Sequence, residues 1–168
     1  MKLLKHISKD KHLSSGSNFK TREASRAVVF DERNLMPLLF VSKFNYHKLP
    51  GGGLEEGENI KDACRRELLE ETGCVVELGK EIGMITECRE KWKLHQTSYC
   101  FLGRVLKKGK TSLEQDEIDD GFQLVWMTLD EAIKTLKNDE PQNYEGGFIQ
   151  QRDLAFLEEA NRLTSSVF

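Results

Sequence analysis

Gly52 is followed after five residues by Glu58, after seven more by Arg66-Glu67-Leu68, and then by Glu70-Glu71-Thr72-Gly73-Cys74. On a helix Glu67, Glu70 and Glu71 stand at i, i+3 and i+4, so three carboxylates share one face and their heads can converge. Like charges at this spacing destabilise a helix by roughly 0.2–0.5 kcal/mol per pair unless a cation intervenes. An oxygen-only cluster of this kind suits a hard divalent ion, Mg²⁺ or Mn²⁺. Taken alone, the triplet is also what a solvated acidic helix face looks like. Pro50-Gly51-Gly52-Gly53 shifts the weighing, because glycines let a backbone pass close to a ligand and present its carbonyl and N–H groups. The plain alternative for the glycines is a flexible turn.

These residues need elements to hold them. From Asn59 to Thr72, Ile60, Ala63, Cys64 and Leu68 recur at helical spacing and Gly73 supplies a stop. Ahead of the glycines, residues 19–30 end in the apolar run Ala27-Val28-Val29-Phe30. Asp31 to Asn34 give turn chemistry, and Leu38-Leu39-Phe40-Val41 read as a second strand, the pair forming a hairpin. After the helix, 75–90 and 94–106 read as a long hairpin turning at Arg89-Glu90-Lys91. The charged stretch 107–120 reads as a loop, followed by a short strand at 123–127. Thr128 is placed to N-cap a helix carrying Ala132, Ile133 and Leu136, and 148–163 is a further amphipathic helix. Strands and helices in this order predict a mixed sheet between helices, an α/β fold.

The 168 residues, 38% hydrophobic and 32% charged, are enough for one core and too apolar for a disordered chain. A net charge of -3 and no dense Lys/Arg stripe argue against a nucleic-acid polymer as partner. No run approaches the ~18 apolar residues of a membrane span, so the expectation is a cytoplasmic protein without membrane attachment, monomeric or homodimeric. Cys64, Cys74, Cys88 and Cys100 lack the paired spacing of a zinc or redox site and read as buried thiols.

The stretch 52–74 resembles the Nudix box of the Nudix hydrolases, G-x5-E-x7-R-E-U-x-E-E-x-G-U with U a bulky aliphatic residue. Every fixed position matches, and Cys74 stands at the last aliphatic position, where a buried thiol packs as an apolar group. The resemblance spans about 19–137 of a single domain covering 1–168, with 1–18 and 138–168 as embellishments, and it implies an α/β/α sandwich. It further implies that Glu67, Glu70 and Glu71 bind Mg²⁺ or Mn²⁺ together with the Gly51 carbonyl. Arg66 would then orient the carboxylates, and Glu58 would fix the loop to the helix.

Many members of that family add a carboxylate from a loop before a late strand. Glu117 is the first choice here and Glu114 the second. The activity implied is hydrolysis of a phosphoanhydride in a small-molecule nucleoside di- or triphosphate-type substrate, in the manner of the MutT-like branch on an oxidised or non-standard nucleoside triphosphate. Hydrolysis of another nucleoside diphosphate derivative such as a nucleotide sugar, and a non-catalytic regulatory module, are the alternatives. Cys88-Arg89-Glu90-Lys91 stand where other sub-families carry their own signature, and Gly53 replaces a Lys of some MutT-like members. Gly52, Gly53, Arg26, Lys48 and Tyr46 are the expected substrate contacts, Arg26 and Lys48 as counter-charges for phosphates. Phe44, Tyr46 and Trp126 are the candidates for stacking on a base.

Overall fold

The computed structural model describes residues 1–9 and 18–165. Its elements in chain order are β1 (Leu3–Ser8), β2 (Lys20–Phe30), β3 (Met36–Val41), β4 (Tyr46–Lys48), β5 (Gly51–Gly53), α1 (Ile60–Thr72), β6 (Cys74–Arg89), β7 (Leu94–Lys108), α2 (Gln115–Asp119), β8 (Phe122–Met127), α3 (Leu129–Asn138) and α4 (Gly146–Ser165). A five-stranded mixed sheet runs β1-β6-β7-β2-β5, and a three-stranded antiparallel sheet runs β4-β3-β8.

Alternation along β2 assigns the faces of the larger sheet. Ala27 and Val29 pack with Cys64 and Leu68 of α1 and with Val76 and Phe101. Val28 points the other way, into a cluster with Ala132 and Leu136 of α3 and Phe148, Phe156 and Leu157 of α4. The sheet is therefore covered by α1 on one side and by α3 and α4 on the other, the mixed α/β sandwich that the pattern predicts. All four cysteines are free and buried.

Helix boundaries follow local chemistry. Asn59 caps α1 by accepting from the Lys61 and Asp62 N–H groups, and Gly73 ends it at φ 70°. Thr128 and Glu131 form a reciprocal capping box on α3.

The expected hairpin between residues 19–30 and 38–41 is not formed. β2 lies parallel to β7 and antiparallel to β5, whereas β3 turns into the second sheet between β4 and β8. Sequence adjacency gave the wrong partner because the apolar runs at 27–30 and 38–41 carry no polar alternation, so periodicity could not tell one sheet from two. The charged stretch 107–120, read as a loop, contains α2. Residues 3–8, in the segment expected as an embellishment, pair parallel with β6.

The C-terminal segment expected as an embellishment reaches the site through α4, within its described residues 138–165. Asp153, wholly buried, accepts from the Leu49 N–H at 2.8 Å and from Arg152 Nε at 2.7 Å, so α4 fixes the backbone just ahead of Pro50 and Gly51. Removing one member of a buried ion pair leaves the other uncompensated, at a cost of about 3–5 kcal/mol. Asp153→Ala is therefore expected to lose stability in that range in denaturant titrations, and a change under about 1 kcal/mol would show that α4 merely rests on the sheet.

Candidate active site

The glycine strand β5 is pressed between β2 and α1. Its register sets Gly51, Gly52 and Gly53 opposite Arg26, Ser25 and Ala24. Gly51 has φ +132°, and a Cβ there would strike the Ser25 carbonyl. At Gly52 a Cβ would run into the Glu67 carboxylate. These are close approaches rather than slack in a turn. The Gly51 carbonyl accepts from Arg26 Nη1 and keeps a second lone pair. Burial first, and then the nearby Arg152, push Arg26 down to about 10, and its Nε has no partner among the described residues.

On α1 the carboxylates Glu67, Glu70 and Glu71 are divided between two cations. Arg66 donates from Nε and Nη2 to the two oxygens of Glu58, each at 3.0 Å, and from Nη1 to Glu67 at 3.0 Å and Glu70 at 3.2 Å. Its Nη2 also reaches the Gly53 carbonyl at 3.0 Å. The fork holds Glu58 below the usual carboxylate range. Glu71, 1% exposed, accepts from Lys48 Nζ at 2.7 Å and from the Gly51 N–H at 2.5 Å.

Burial, and then the charge of Glu71, raise Glu67 above its ordinary value. Glu70 and Glu71 sit in the last turn of α1, which holds no basic residue, so the negative end of the helix dipole adds to their mutual repulsion.

Glu117 arrives on α2. It closes a capping box with Glu114, accepting from the Glu114 N–H at 2.7 Å. Burial raises Glu117 to about 7 against the pull of that N–H, with the charge of Glu71 adding to the rise. The segment leading to α2 is hung from the end of α1: the Gly109 N–H donates to the Gly73 carbonyl at 2.8 Å and the Ser112 N–H to the Glu70 carbonyl at 2.7 Å.

These groups meet in an open groove of about 300 Å³. Glu67 and Glu71, Glu114, Asp116, Glu117 and Asp120 around α2, and Glu145 give it seven carboxylates against Arg22, Arg26 and Lys48. Gly51, Gly52, Gly53 and Tyr46 also line it, as do Phe122 and Ile149. Glu70 does not. It turns toward Arg66 at the groove's edge, its side chain 36% exposed. Phe44 packs against Val41, Tyr46 and Ile149 away from the lining, and Trp126 lies under Lys108, 3.5 Å from its ring centre, against the α1-side core.

Arg22, Asp116, Asp120, Phe122, Glu145 and Ile149 were not singled out from the sequence. Only Arg22 had a usable signal, since a strand's two-residue period places it on the same face as Arg26.

The donor set fits a hard divalent ion: oxygen ligands, like charges kept close, and a glycine whose missing side chain makes room for one of them. As the side chains are held here, no three acidic, His or Cys groups among the described residues stand close enough to enclose an ion. Arg66, Lys48 and the α2 cap hold them apart.

A sequence profile of the NUDIX domain matches residues 20–146. The chain belongs to the NUDIX family. It is 30% identical over 132 residues to diphosphoinositol polyphosphate phosphohydrolase 3-alpha of Mus musculus, covering 76% of this chain and 75% of that protein. It is 35% identical over 99 residues to an RNA pyrophosphohydrolase of Sulfurovum sp. (strain NBC37-1), covering 54% and 63%.

Among solved structures it is similar to a NUDIX hydrolase from Nitrosomonas europaea, with TM-score 0.63, 20% identity and 85% and 90% of the two chains covered. A MutT protein from Methanosarcina mazei Go1 gives TM-score 0.63, 21% identity and coverage of 88% and 98%. At these identities the structures speak for the NUDIX fold. The family match and the relatives make the chain a NUDIX hydrolase acting on phosphoanhydrides, a family that generally uses a divalent metal.

Gly51 and Gly52 should respond differently to one methyl group. Gly52 lacks the positive φ that strains other residues, so the nearest obstacle to Gly52→Ala is the Glu67 carboxylate. It is expected to melt near wild type while turnover falls about 10²-fold, the scale of a misplaced catalytic group. Gly51→Ala, with strained backbone and a blocked carbonyl, is expected to lower the melting temperature itself. Equal activity in a normally melting Gly52→Ala variant would reduce the loop to a connector.

Proposed function

We propose that this protein hydrolyses a phosphoanhydride bond in a small nucleoside di- or triphosphate-type substrate, with Mg²⁺ or Mn²⁺ held by Glu67, Glu71 and the Gly51 carbonyl and by Glu70 from the groove's edge, through Oε1, the oxygen Arg66 does not hold. The observation that carries the reading is the groove's charge: with Glu145 paired to Arg89 and Asp120 to Lys43, the other five lining carboxylates still outnumber Arg22, Arg26 and Lys48. A polyphosphate is itself an anion, and like charges in a partly dry site repel by several kcal/mol at close range. Such a substrate enters this groove only with cations. When bound, a divalent ion supplies Lewis-acid neutralisation of phosphate charge and lowers the pKa of water beside it.

The chain's own groups supply the rest. Glu117, raised to about 7, is poised to take a proton from an attacking water near neutral pH, where an ordinary carboxylate is too weak a base. Arg66 fixes the α1 carboxylates through a planar fork and does not itself face the groove lining. Arg26 and Lys48 provide positive charge on the floor, with Arg22 beside them. Tyr46 and Phe122 give the groove an aromatic side suited to a base. Two relatives are named for diphosphoinositol polyphosphates and for RNA. The acidic surplus here favours a substrate with fewer phosphates than an inositol polyphosphate, and an oxidised or non-standard nucleoside triphosphate fits it.

Incubation with a nucleotide panel and Mg²⁺ tests this, with product release expected only when the ion is present. Undiminished turnover in excess EDTA would remove the metal from the mechanism. Glu71→Gln keeps the volume and removes the charge, so kcat is expected to fall by about 10² or more in a folded protein. A near-wild-type rate would return Glu71 to a purely structural role.

A further inference from the structure

Resting on the divalent-ion reading above, we infer that Lys48 is a built-in rival of that ion: it holds Glu71 in the metal-free protein, and the ion must displace it to reach the same carboxylate.

Glu71 is 1% exposed, and each of its oxygens accepts a hydrogen bond. Oε2 takes the Gly51 N–H, a bond belonging to the strand backbone. Oε1 takes Lys48 Nζ at 2.7 Å, and that bond is the exchangeable one. Lys48 ends β4 on a flexible four-carbon stem. Its side chain is 11% exposed, its ammonium lies 4.8 Å from the ring centre of Phe122 in the groove wall, and it forms no second ion pair among the described residues.

Arg66 is the contrast. Its guanidinium is tied to Glu58, Glu67, Glu70 and the Gly53 carbonyl at once, so no single exchange frees it. Of the two cations that hold Glu67, Glu70 and Glu71, Lys48 is the one a single exchange releases.

A divalent ion and an ammonium sharing one buried carboxylate repel each other, so filling the site drives the lysine off. The freed ammonium stays in the groove beside Arg22 and Arg26 and becomes a donor for an anionic phosphate. One exchange thus fills the ion site and completes the phosphate-binding charge, which places ion binding before substrate binding.

The test is calorimetric titration of the full chain with Mn²⁺ alone at pH 8.5, where protons compete weakly for carboxylates, alongside thermal melts in EDTA and in excess Mn²⁺. Lys48→Met is expected to melt below wild type in EDTA, because Glu71 has lost its partner. It should also bind Mn²⁺ about tenfold more tightly, since a self-occupied site weakens apparent affinity by its occupied fraction, and gain more melting temperature from Mn²⁺ than wild type gains. Lys48→Gln, which keeps a neutral donor, is expected to fall between the two and serves if Lys48→Met does not fold. Lys48→Arg should bind no tighter than wild type. If wild type binds Mn²⁺ and neither neutral variant binds it more tightly, Lys48 is a fixed counter-ion and the rivalry is overturned while the metal reading stands. Absence of Mn²⁺ binding in wild type overturns both.

Discussion

Arg66 ties three carboxylates and a glycine carbonyl to one planar group, and the rest of the groove is built around that grip. Two unit charges about 4 Å apart at an effective dielectric near 20 interact by about 4 kcal/mol, a large part of a domain's net stability of about 5–15 kcal/mol. Glu58, Glu67 and Glu70 could not be gathered beside Glu71 without a cation to offset them. A guanidinium suits the task because its donors are set at fixed angles and its charge cannot be titrated away. With the helix and the glycine strand locked together, Glu67 fills the space that Gly52 leaves open.

A second ionic cluster, between β6 and β7 and the start of α4, reaches the same groove through Glu145. Arg89 donates to Glu145 at 2.6 Å and to buried Glu87, which also takes a bond from Gln96. Arg152 and Asp153 of α4 adjoin it and pass the tie on to Leu49. Buried ion pairs of this kind give little net stability over a packed apolar core. What they provide here is position. They set the height of the chain just before the glycines from a helix more than a hundred residues later in sequence.

The box helix was legible almost to the residue, because Asn59, the apolar stripe and Gly73 are local signals. The layers followed from the order of elements. Strand partnership did not, since the end of β2 and the whole of β3 are continuous apolar runs and only the three-dimensional arrangement decides which sheet each joins. α2 escaped notice because its five residues carry no helical stripe and its cap is Glu114 rather than Ser or Thr. Glu117 could be named from the resemblance, but its burial could not. Glu70 was expected with Glu67 and Glu71 on one face. Helical spacing puts the three side by side, while Arg66 decides which of them turns to the groove. Phe122, Glu145 and Ile149 reach the groove from distant parts of the chain, and no local pattern marks them.

The two backbone bonds that hang residues 109 and 112 from the end of α1 have a bearing on how such a groove diversifies. They make the short span between Ser112 and Glu114 a tether of fixed origin, anchored on the same helix that carries the box glutamates. Adding or deleting one residue in that span would shift where α2 begins by up to about 3.5 Å, the reach of one extended residue. Every box residue would stay in place. Loop length between a fixed anchor and the carboxylate of α2 is thus an adjustment open to insertion and deletion, and one that a comparison confined to the box would not register.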